Sequence, residues 1–181
     1  MTQADIQGWH DYFVTVAQAG ATLAGLLFVG LTISLNHVLA ARGYLARAFT
    51  ALALQFEILV LGLFALVPGQ PAAALGAEFV ITGLFVLAGT AIFSRYFPED
   101  DQSHVLGGAG ARAVRAVLTA TATLFPALAG ACLIAGLSFA LYFLIPAVIA
   151  AIYLSIGYAW VFAVEIPRRK ESSKTRPEDA G

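Results

Sequence analysis

Every Lys and Arg of this chain falls where a five-span path through a membrane would gather them on one side. The ten are Arg42, Arg47, Arg95, Arg112, Arg115, Arg168, Arg169, Lys170, Lys174 and Arg176. Between them run one long apolar crossing, 12–37, and two apolar stretches that must fold back as hairpins, 48–93 and 116–166. Short loops rich in Lys and Arg stay cytoplasmic, so this segregation sets direction as well as span count. The fold expected is all-α: an integral membrane bundle of five transmembrane helices, N-terminus outside and C-terminus cytoplasmic. A chain that is 60% hydrophobic and 12% charged, with mean hydropathy +0.83, is not an ordinary soluble domain.

The spans expected are about 12–37, 48–67, 72–93, 113–137 and 146–166, each near the roughly 20 residues that a crossing helix needs. Residues 1–11 form a short external tail, with Trp9, Tyr12 and Phe13 at headgroup level as interfacial aromatics. This tail lacks Lys and Arg, and the apolar run after it is too long for a signal-peptide core, so that run is expected to remain as the first span. Arg42-Gly43-Tyr44 reads as a tight cytoplasmic turn, and Pro68-Gly69 followed by Pro71 stops the second span. The loop 94–111 carries Glu99-Asp100-Asp101 and a glycine-rich run, and reads as solvated. Gly136 and Ser138 are both candidates for the fourth-to-fifth turn. The preferred reading is a turn and interfacial stretch over 138–145, with Tyr142 and Phe143 as an aromatic belt and Pro146 in the first turn of span five. The polar tail 168–181 reads as disordered. In it Arg168, Arg169 and Lys170 are placed to meet anionic lipid headgroups.

Glu57 is the sharpest chemical signal. A carboxylate at mid-span costs about 2.5–3.5 kcal/mol on insertion scales, so it should face the bundle interior or a wet cavity. Proton acceptor, cation ligand, pore-lining charge and hydrogen-bonded packing group all fit such a residue. Gln55 projects to nearly the opposite side of the same helix and is expected to join another helix contact. On span one, Asp11, Gln18, Thr22, Gly25, Thr32 and Asn36 fall within one arc at 100° per residue. Beside that stripe runs a small-residue packing ridge of Ala17, Gly20, Ala21 and Ala24, with Gly25 at the border. The stripe is either a packing seam or one wall of a polar path facing Glu57. Glu78, near the outer end of span three, is a further candidate for that path, with Gln18, Thr22, Thr32 and Asn36. Span four repeats the motif with Arg115, Thr119, Thr123, Pro126 and Gly130. Glu165 reads as an interfacial ion-pair partner of Arg168 and Arg169, His37 and His104 as solvated, and His10 as a conceivable sensor of external pH.

No nucleotide, zinc-hydrolase or redox motif occurs, and three scattered histidines and the lone Cys132 indicate neither metal site nor disulfide. No catalytic cluster is recognisable, so an enzyme is not expected, nor is any cofactor or nucleic-acid partner. The opening segment, Trp9-His10-x-Tyr12-Phe13 followed by Ala21-x-Leu23-Ala24-Gly25-Leu26-Leu27-Phe28-Val29, resembles small bacterial multi-pass membrane proteins of unassigned function. That resemblance covers the first helix and implies a bacterial inner-membrane location. Two functions remain: a homo-oligomeric ion or proton channel using Glu57, with a pore around the oligomer axis, or a non-catalytic accessory protein binding another membrane protein or lipid.

Overall fold

The computed structural model describes residues 6, 8–35, 42–96 and 109–161. Five helices make up nearly all of it: α1 His10–Ile33, α2 Arg42–Ala65, α3 Ala72–Tyr96, α4 Ala109–Ile134 and α5 Leu144–Trp160. A short 3-10 turn, Ala140–Phe143, leads into α5. Helices α1 to α4 each contain a segment long and apolar enough to cross a membrane, and a fifth such segment, Ala140–Trp160, joins the 3-10 turn to α5; no strand occurs among the described residues. In a hydrocarbon solvent a helix satisfies its own backbone groups, which is why apolar runs of this length take that form. Side chains such as Phe28, Ile81, Phe85 and Ile149 point outward, as a lipid-facing surface requires.

Helix limits depart from the sequence reading in instructive places. Arg42-Gly43-Tyr44, expected as a tight turn, is the first turn of α2. Nothing between Arg42 and Ala48 forbids helix, and Arg47 is held at 8% exposure with its guanidinium 5.9 Å from the Tyr44 ring centroid. A basic residue here extends the helix rather than ending it. Helix α4 likewise starts at Ala109, inside the glycine-rich stretch assigned to the loop. Helix α1 begins at His10 and ends at Ile33, ahead of the limits expected; Asn36 and His37 lie outside the described residues.

The turn between α4 and α5 is made by Gly136, at φ +75°. Gly136 N–H donates to Leu133 O at 3.0 Å and Leu137 N–H to Cys132 O at 2.9 Å. This is a helix stop built on a left-handed glycine. Pro146 falls in the first turn of α5 as expected. Tyr142 is exposed and packs edge-on against Trp9, centroids 5.0 Å apart, while Trp9 also meets Tyr12 at 5.3 Å. The start of α1 is thereby tied to the turn between α4 and α5. Phe143 turns inward, edge-on to Phe125 at 5.8 Å, so only Tyr142 of the expected belt pair lies at the surface.

Helix α2 packs against α1, α3 and α5, and α5 in turn against α1, α2 and α4. The closest pairing is between α3 and α4. A methyl added at Gly130 would lie 2.3 Å from Gly76 O and 2.8 Å from Val80 N. Such approach is what lets helices associate without a hydrophobic drive between them. The α1 ridge works the same way, since a methyl at Gly20 would lie 3.0 Å from Leu59 N. Gly130→Ala should lower stability by about 1–3 kcal/mol, because backbone rather than a flexible side chain obstructs it. Gly25→Ala, where a methyl meets nothing within 4 Å, should stay within about 0.5 kcal/mol. Unfolding in detergent micelles, followed by circular dichroism, checks both.

Candidate functional site

Glu57 lies on α2, about 12 Å along the axis from Ala65. Its side chain is 1% exposed, and neither carboxylate oxygen has a hydrogen-bond partner. An ionised carboxylate so placed would be an uncompensated buried charge, among the most costly arrangements a protein can contain. A proton or a cation must therefore neutralise it. Its enclosure is within one protomer, so Glu57 does not face outward toward an axis between copies.

Gln55 is also fully buried, but on the other side of α2. Its Nε2 donates to Ser155 Oγ on α5 and, at 3.5 Å, to Ala151 O, while its Oε1 has no partner. The separate helix contact expected for Gln55 is thus the link between α2 and α5. The sequence marked no partner for it, because Ser155 is an ordinary small residue in an apolar run.

The stripe on α1 does not meet Glu57. Gln18, Thr22, Gly25 and Thr32 are all exposed on the surface of the bundle. Thr22 Oγ1 donates to Gln18 O at 2.8 Å and Thr32 Oγ1 to Phe28 O at 2.8 Å, so these hydroxyls are satisfied within their own helix. The adjacent ridge divides: Ala17 and Gly20 are buried against α2, Ala24 is partly buried, and Ala21 is exposed. The small residues, rather than the polar ones, face the neighbouring helix.

Glu78 lies about 9 Å along α3 from Ala72, deeper than a single turn. It is partly buried, and its Oε2 is buried without a partner. It stands at a depth comparable to that of Glu57 on an adjacent helix. The α4 face is a packing seam: Thr123, wholly buried, donates to Thr119 O at 2.9 Å, and Gly130 abuts α3. His10 borders a cavity of about 210 Å³ together with Gln70 at the end bearing the turn between α2 and α3. Asn36, His37, His104, Glu165, Arg168, Arg169 and Lys170 lie outside the described residues. Among the described residues no group of three or more His, Cys, Asp or Glu is placed to hold a metal ion.

A larger cavity, about 400 Å³, opens at the end of the bundle where Arg112 and Arg115 stand. Thr50, Thr90, Ser94, Thr119 and Tyr158 are among its lining residues. Thr50 precedes Glu57 by seven positions, so the two project from the same side of α2 about 10.5 Å apart along its axis. No sequence motif announces this cavity, since four helices supply its lining. Comparison with family models, with curated proteins and with solved structures finds no match.

The Gln55–Ser155 link is expected to be a structural tie. In a double-mutant cycle with Gln55→Leu and Ser155→Ala, unfolding should give a coupling energy of about 0.6 kcal/mol, at most about 1.7.

Proposed function

We propose that this chain is a multi-pass membrane protein that carries protons through Glu57, inside each protomer. The observation that carries this reading is the pair of unbonded carboxylate oxygens at 1% exposure. A structural acid would be tied to a neighbouring helix by a hydrogen bond, as Gln55 is through its Nε2 donation to Ser155 Oγ. An acid without such donors is neutralised by whatever small cation reaches it, and a proton needs no further ligand. The approach is from the basic end, where Thr50 on the same side of α2 lines the open cavity. The basic end is the cytoplasmic one by the positive-inside rule, with the N-terminus outside. The resemblance of the first helix favours a bacterial inner membrane. We assign the chain no enzymatic activity.

Glu57 lies within the protomer, so an oligomer would not place it on a shared pore axis. Oligomerisation enters through α1 instead, whose exposed Gln18 gains a hydrogen-bond partner if another helix covers that face. The same exposure favours the second reading, an accessory protein whose α1 binds another membrane protein. Purified protein in liposomes separates the two. Wild type should acidify the lumen under an imposed potential, and Glu57→Gln should cut the rate on the order of 100-fold while keeping the fold. Absence of flux from wild type, with a stoichiometric partner recovered from native membranes, would replace the proton pathway with the accessory role.

A further inference from the structure

The 400 Å³ cavity at the basic end combines two chemistries. Its lining joins the basic residues Arg112 and Arg115 to the alkyl side chains of Leu87, Ala91, Ala116 and Ala120. Arg112 and Arg115 stand one turn apart on α4, so both reach the same mouth. The volume lies within the range of small-molecule sites. Planar guanidinium groups bind phosphate oxygens in paired hydrogen bonds, whereas the Thr50 and Ser94 hydroxyls donate to Ala46 O and Ala91 O of their own helices. A free anion has no use for the alkyl wall, whereas a phospholipid fills both parts, headgroup at the rim and chain below. Basic pockets between transmembrane helices are recognised settings for anionic headgroups.

We propose that this cavity binds an anionic phospholipid, its phosphate between Arg112 and Arg115 and the first part of an acyl chain along Leu87 and Ala120. The cavity is also the mouth of the approach proposed for protons, but lipid retention is read without any flux through Glu57, so the two readings fail separately. It tests as follows, with the full chain in phosphatidylcholine nanodiscs doped with phosphatidylglycerol. Native mass spectrometry should find phosphatidylglycerol retained by wild type. The double variant Arg112→Gln/Arg115→Gln should lose retention on the order of 30-fold. Arg95→Gln, at the same end but outside the cavity lining, should retain lipid as wild type does. Ala120→Leu, which fills the cavity without altering charge, should reduce retention several-fold and serves if the arginine variant does not fold. Equal losses for Arg95→Gln and the double variant would mean general surface charge and overturn the site. Full retention by the double variant, or by Ala120→Leu, would also overturn it. Competition by millimolar inorganic phosphate as effective as that by short-chain phosphatidylglycerol would assign the rim to a free anion.

Discussion

Helices in a bilayer gain little from excluding lipid, so close contact between their backbones has to hold this bundle together. That contact is made where side chains are smallest. Gly76 and Gly130 bring α3 and α4 together, and Gly20 and Gly62 do the same for α1 and α2. Gln55 adds a polar tie to α5. With α2 held by α1, α3 and α5, one side of its middle is covered and another is not: Glu57 is 1% exposed and its neighbour Phe56 55%.

Much of this architecture could be read from the residues. Uninterrupted apolar runs between basic clusters supply five helices, and Pro68-Gly69 marks the turn after the second; the stop at Gly136 falls two residues ahead of the preferred 138–145. Helix starts were harder to see. A basic residue reads as a loop marker, yet Arg42 and Arg47 belong to α2 and Arg112 to α4, because nothing in these segments forbids helix. At this site, periodicity misleads in a particular way. The arc of Gln18, Thr22 and Thr32 is real, but periodicity identifies residues on one side without saying whether that side faces in or out. Glycine packing decided it, turning Ala17 and Gly20 inward and the polar stripe outward. Glu57 stood out because a carboxylate in a span is costly. The absence of a hydrogen-bonding partner is a tertiary fact, as is the cavity lined by four helices.

These placements separate two surfaces of different use. The interior of the protomer contains the acid on which the proton reading rests, and the basic end contains an amphipathic cavity suited to an anionic lipid. The polar face of α1 belongs to neither and is available to another helix. A shared pore lined by α1 and Glu57 would need both on one surface, and Glu57 is enclosed while Gln18, Thr22 and Thr32 are exposed.

Whether protons reach Glu57 is measured most directly by infrared spectroscopy of the lipid-reconstituted protein. The difference between wild type and Glu57→Gln isolates the carboxyl C=O band of this one residue. On transfer to D2O, the band should shift within minutes, as expected of an acid that exchanges with bulk water. A band that holds its position for hours would mark a sealed packing group and contradict the proton pathway.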